Sequence, residues 1–109
     1  VSVYHNIFED WADVQSNFGT DAPEPFKVLY ADYEYEDYSG YATVLWRNED
    51  GSFGLVNGSH CSCYGLEDQW DVEEISDIAM RGELARDSYY LRGCRDIVSA
   101  ELGIEGRTA

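Results

Sequence analysis

Two groups of residues in this chain have the types and spacing to do chemistry. The first is His60-Cys61-Ser62-Cys63, which offers an imidazole and two thiols in one short run. Zinc takes thiolate and imidazole ligands in a tetrahedral set of four, so His60, Cys61 and Cys63 are candidate metal ligands, with His5, Cys94 or a carboxylate needed to complete the set. The spacing works against a closed site. Paired ligands usually have two or more residues between them so that the loop wraps the ion, and neighbours in an extended chain point to opposite sides. Two other readings stay open. Cys61 and Cys63 act as small buried side chains on which Trp70 packs, with His60 hydrogen-bonding the local turn. Alternatively, a cysteine nucleophile pairs with His60, although no oxyanion or phosphate-binding loop accompanies it. A disulfide between Cys61 and Cys63 would close a strained small ring.

The second group is acidic. Asp32, Glu34 and Glu36 alternate along one stretch, and on a strand such residues share a face with their Cα atoms about 6.6 to 6.8 Å apart. Asp37, Tyr38 and Tyr41 follow closely. A rigid row of carboxylates beside tyrosines suits a basic surface on another protein, because the field attracts cations while the aromatic rings add cation–π contact and rigid anchoring. Asp32, Glu34, Glu36, Asp37, Tyr38 and Tyr41 are therefore the candidate partner-binding residues. One such row is too sparse to imitate DNA, whose single strand carries a charge about every 3.4 Å. Acting as a DNA mimic would need other carboxylates, such as Glu9, Asp10, Asp13, Glu67, Asp68, Glu73 and Glu74, to extend the pattern. The plainer account of the same residues is a solvated sheet face whose charges prevent edge-to-edge aggregation.

The whole chain shares this character. With 22 acidic against 7 basic residues the net charge is −15, which repels nucleic acid and anionic membrane and steers the protein toward basic partners. Direct nucleic-acid binding needs basic side chains facing phosphates, and these are scarce. No run of about 18 apolar residues is present, and Val1-Ser2-Val3-Tyr4-His5 does not open a signal peptide. Three cysteines do not make a secreted disulfide framework, so reduced thiols in a cytoplasm are the expected setting. No triad, paired carboxylates or phosphate loop has catalytic spacing, so no enzyme is expected, and zinc is the one cofactor the residues suggest.

The elements that must position these groups follow from periodicity. Ile7, Trp11, Val14 and Phe18 form a helical stripe, with Asn6 and Glu9 as a cap pair and Gly19 as the stop. Lys27 to Glu36 alternates with period two, which places Leu29, Ala31, Tyr33 and Tyr35 on one face. Tyr41 to Arg47 is a second strand, Asn48-Glu49-Asp50-Gly51 a hairpin loop and Phe53 to Asn57 a third strand. After an irregular stretch, Asp71-Val72-Glu73-Glu74 predicts a capped helix start, with the helix ending near Gly82. Leu84, Leu91, Cys94 and Val98 predict a last helix terminated by Gly103. Residues 1–109 thus read as a single acidic α+β domain, a three-stranded antiparallel sheet with an N-terminal helix and two C-terminal helices packed on one face.

The run Gly58-Ser59-His60-Cys61-Ser62-Cys63-Tyr64-Gly65-Leu66-Glu67-Asp68-Gln69-Trp70-Asp71-Val72-Glu73-Glu74, with the hairpin before it, resembles a segment of small uncharacterised proteins encoded in phage and prophage genomes. The resemblance covers residues 27 to 80. This chain departs from it at Asp68, where those proteins tend to have glycine, and at Val72, where they have proline. The resemblance implies a phage origin and no particular activity. Together with the charge it gives the expectation of a phage-encoded acidic binding protein that inhibits or modulates a host protein. A nucleic-acid-handling defence complex of the kind met by anti-CRISPR or anti-restriction proteins is the expected target, blocked by steric and electrostatic occlusion. The alternative is a small zinc-binding domain organised by the His60-Cys61-Cys63 loop.

Overall fold

The computed structural model describes residues 3–36, 39–61, 65–85 and 94–103. Strands β1 (Tyr4–Asn6), β2 (Lys27–Glu36), β3 (Ser39–Arg47), β4 (Phe53–His60) and β5 (Glu73–Ile75) form one sheet in sequence order. Helix α1 (Trp11–Phe18) lies between β1 and β2, and α2 (Asp77–Ala85) and α3 (Arg95–Leu102) follow β5. The α+β class matches the sequence reading, but the expected three-stranded antiparallel sheet is five-stranded and mixed. β1 runs parallel to β2, and the remaining pairs are antiparallel. β1 and β5 are three residues long, too short for alternation to show, and they form only because long strands lie beside them.

Helix α1 serves as the crossover between the parallel strands β1 and β2. Its cap is Asp10, not Asn6: the Asp10 carboxylate accepts from the Asp13 amide at 3.0 Å, and the Asp13 carboxylate accepts from the Glu9 amide at 2.9 Å. This reciprocal arrangement satisfies two donors at the helix entry. Ile7 consequently falls outside the helix and is exposed, while Phe8 takes the buried place. Gly19 ends α1 at φ 68°, the left-handed conformation that glycine adopts without penalty.

Simple alternation fails at Leu29. The register of β2 against β3 shifts between Val28 and Tyr30, so Leu29 is the extra residue of a bulge. Leu29 therefore packs with Leu45, Phe53, Leu55, Ile75, Met80 and Val98, while Ala31 and Tyr33 pack with Phe8, Trp11, Val14, Phe18 and Val56 on the opposite face. These two clusters correct the expectation that all helices share one face: α1 covers one side of the sheet, α2 and α3 the other. The reason lies in β3, where Val44, Leu45 and Trp46 are consecutive and all buried. Adjacent strand residues point to opposite faces, so such a run requires cover on both sides.

The Asp71-Val72-Glu73-Glu74 segment does not start a helix. Glu73, Glu74 and Ile75 pair with Leu55, Gly54 and Phe53, and α2 begins beyond them, where the Ser76 hydroxyl accepts from the Ala79 amide at 3.1 Å. Gly82 lies inside α2 rather than at its end. Gly103 ends α3 at φ 72° as expected. Leu91, from the expected stripe of the last helix, lies outside the described residues.

All three tryptophans meet on the α1 side. Trp46 and Trp70 stack with ring centroids 5.7 Å apart, and Trp11 stands edge-on to both at 6.1 and 5.8 Å. Trp46 lies flat over Gly54 of β4, where a Cβ would come within 2.2 Å of its ring. Gly54→Ala should therefore cost about 1 to 3 kcal/mol through overpacking, read from urea denaturation followed by tryptophan fluorescence. An unchanged denaturation midpoint would contradict this packing.

Candidate functional site

Among the described residues, the cover on the α2/α3 face stops partway along the strands. Beyond Tyr30, Leu45 and Leu55, that face carries Asp32, Glu34 and Glu36 from β2, Ser39, Tyr41 and Thr43 from β3, and Asn57 and Ser59 from β4. Register arranges them in rows across the sheet: Asp32, Thr43 and Asn57 in one, Glu34, Tyr41 and Ser59 in the next, then Glu36 opposite Ser39. Glu34, Glu36, Asn57 and Ser59 are exposed, and Tyr41 is 62% exposed. Glu34, Glu36, Ser39 and Tyr41 line a shallow groove of about 330 Å³. On the other side of Tyr41 a polar groove of about 290 Å³ is lined by Thr43, Asn57, Ser59 and Gln69.

Of the sequence-derived partner-binding residues, the fold thus brings Glu34, Glu36 and Tyr41 together on open sheet. Asp32 is half-buried at the border, where it accepts from the Asn6 side-chain amide at 2.6 Å and from the Tyr30 hydroxyl at 3.0 Å. Burial, with the Asp32 hydrogen bond second, pushes the Tyr30 hydroxyl up to about 12. Asp37 and Tyr38 lie outside the described residues. Tyr33 is buried at 4% exposure, whereas Tyr35 is 49% exposed.

The described cations are gathered elsewhere. Arg47, at the far end of β3, pairs with Asp77 of α2 at 2.6 Å and Glu101 of α3 at 3.2 Å, and its guanidinium lies 4.7 Å from the Phe53 ring centroid. Lys27 also reaches Glu101 at 2.9 Å, Arg81 reaches Asp77 at 2.6 Å, and Arg95 donates to the Leu84 carbonyl. None of the side chains that β2, β3 and β4 place on the open half of the face is Lys or Arg. Among the described residues, Glu34 and Glu36 have no ion pair.

The second candidate group is dispersed. His60 belongs to β4, which extends three residues beyond its expected end. The ring is buried and lies over Gly40, where a Cβ would come within 2.4 Å of Nε2. His60 Nδ1 is 2.7 Å from the Cys61 carbonyl, and Nε2 is 2.6 Å from the Tyr33 hydroxyl. A carbonyl only accepts, so Nδ1 donates to it, and Nε2 shares its hydrogen bond with the Tyr33 hydroxyl. Both ring nitrogens are thus engaged, and either would have to give up its partner to take a metal. Cys61 is exposed rather than packed beneath Trp70, which rests on Trp46, Trp11 and Phe18. Cys63 lies outside the described residues. Among the described residues, no group of His, Cys, Asp or Glu is arranged to hold a metal. Cys94 is core, and burial pushes its thiol up to about 11.

Sequence reasoning missed Gln69. Its side-chain amide meets the backbone of Ser59 on both atoms, Oε1 accepting from the amide at 2.9 Å and Nε2 donating to the carbonyl at 2.8 Å. It thereby imitates the peptide group of a neighbouring strand beyond the point where β5 ends. Only an irregular loop returning along the β4 edge creates that contact, so local sequence pattern carries no sign of it.

Comparison with protein-family models, with curated proteins and with solved structures gives no match to this chain.

The Arg47 cluster sets an acid limit on folding. The hydrogen bond from Arg81, helped by the Arg47 charge, holds the Asp77 carboxyl below its ordinary range. At Glu101 burial pushes upward, and the combined hydrogen bonds and charges of Lys27 and Arg47 outweigh it, so this carboxyl is also held low. Carboxyls depressed in the folded state contribute stability that is complete above their ordinary titration range and is lost as pH falls through it toward the folded-state values. Arg47→Met should therefore flatten the loss of stability between neutral pH and about pH 3, measured as urea midpoints across the series. A wild-type slope in the variant would contradict this assignment.

Proposed function

We propose that this chain is a phage-encoded acidic binding protein that inhibits or modulates a host protein by occupying a basic site on it. The observation that carries this reading is the sheet face on which Glu34, Glu36 and Tyr41 stand exposed while Lys27, Arg47 and Arg81 are engaged in ion pairs at its other end. Segregated charge of this kind accelerates encounter with a basic surface and rejects nucleic acid itself. A host protein that handles nucleic acid presents such a surface, and occupying it blocks the natural ligand without any chemical step. Defence complexes are the target class this chemistry fits, and the host cytoplasm is where the encounter would take place. The phage assignment rests on the segment from Gly58 to Glu74.

The test is capture from nuclease-treated bacterial lysate over a salt series, comparing wild type with the double variant Glu34→Gln and Glu36→Gln. The wild type should retain a salt-sensitive, nuclease-independent partner, and the amide variant should lose at least about tenfold in retention with a reduced salt slope. Equal retention by the two proteins would overturn this placement of the site.

A further inference from the structure

The open half of the sheet also has a geometry that specifies which cation it takes. Resting on the reading above, we infer that this face is an arginine clamp: it binds an extended segment of a partner protein by seating a guanidinium on the Tyr41 ring between Glu34 and Glu36.

The ring is presented rigidly. Tyr41 sits within β3, paired on one side with Glu34 and on the other with Ser59, so its backbone is held by both neighbouring strands. Gly40 and Ala42, its chain neighbours, face the opposite side, where His60 lies over Gly40 and the Ala42 methyl joins the α1 core. Nothing on its own strand competes for the exposed ring. Across the sheet from Tyr41 stands Glu34, and two residues further along β2, about 6.6 to 6.8 Å away, stands Glu36 opposite Ser39. The groove is therefore walled by an aromatic ring and two carboxylates, with a hydroxyl at its end.

A guanidinium is planar, stacks on an aromatic face and donates in a fixed fork that matches a carboxylate at two points. An ammonium ion is a compact and strongly hydrated point charge that can take the charge but not the stacking together with the fork. The polar groove beyond Tyr41, with Thr43, Asn57, Ser59 and Gln69, offers neutral hydrogen-bonding groups of the kind a peptide backbone uses. Thr43 donates to the Asn57 side-chain carbonyl at 3.0 Å, which leaves the Asn57 amide nitrogen directed to other acceptors. An extended peptide lying across the strands thus meets carboxylates and a ring on one side of Tyr41 and amides and hydroxyls on the other. A phosphate backbone meets the same carboxylates as repulsion.

The test uses two blocked hexapeptides, one alternating arginine with serine and the other alternating lysine with serine, titrated into the isolated protein at low ionic strength and followed by backbone amide NMR shifts. The arginine peptide should shift amides of residues 34 to 36, 39 to 43 and 57 to 59 and bind at least about tenfold more tightly than the lysine peptide, whose compact charge cannot use the ring. Tyr41→Ala, at an exposed position that leaves both cores intact, should bring the arginine peptide down to the lysine level. Equal affinity of the two peptides, with both weakened by Glu34→Gln and Glu36→Gln, would overturn the clamp and leave the basic-partner reading in place. Binding that ignores the glutamine changes, or is absent for both peptides, would overturn the clamp and remove this face as the basic-partner site as well.

Discussion

The consecutive burial of Val44, Leu45 and Trp46 in β3 is the constraint on which the rest of this structure depends. It obliges the chain to cover both faces of the sheet at one end. The described helices are short: eight or nine residues each, or about 12 to 14 Å at 1.5 Å per residue. β2, with ten residues, runs about 33 Å. These described helices, one on one face and two on the other, enclose the Val44 to Trp46 region, while Glu34, Glu36 and Tyr41 at the other end of the strands stay exposed.

Polar interactions divide along the same line. Arg47 lies at the covered end, beneath the junction of α2 and α3, and ties both helices to β3 through Asp77 and Glu101. It also places positive charge where it neutralises carboxylates within the fold. At the other end β2 alternates carboxylates with Tyr33 and Tyr35, and Tyr33 turns inward to hold His60. The same strand therefore anchors one face and charges the other. Aromatic side chains are frequent anchors of protein interfaces, and Tyr41 stands exposed on a strand held from both sides, in one row with Glu34.

Much of the framework is legible in the sequence because it depends on local signals. The meander of β2, β3 and β4 shows as alternation broken at Asn48-Glu49-Asp50-Gly51, and Gly19 and Gly103 mark helix ends through their freedom at positive φ. The two edge strands are not legible, since three residues carry no period and their pairing is decided by neighbours far along the chain. The bulge at Leu29 is equally hidden, because its extra residue preserves an apolar pattern while changing the face it feeds. In the candidate site, the alternation of Glu34 and Glu36 is visible in the sequence, but their meeting with Tyr41 depends on cross-strand register. The His60 environment is the opposite case: its neighbours Cys61 and Cys63 drew attention to metal chemistry, whereas the partner that fixes the ring is Tyr33, 27 residues away.

Exposure of the Glu34, Glu36 and Tyr41 half of the sheet face in the protein alone is what a docking site there requires, and hydroxyl-radical footprinting with residue-level mass spectrometry reads it directly. Tyr41 and Tyr35 should oxidise readily, while Tyr33, only two residues from Tyr35 in sequence, and Trp46 should be protected until the protein is unfolded. Protection of Tyr41 equal to that of Tyr33 in the isolated protein would contradict the open face and remove the basis for a docking site there.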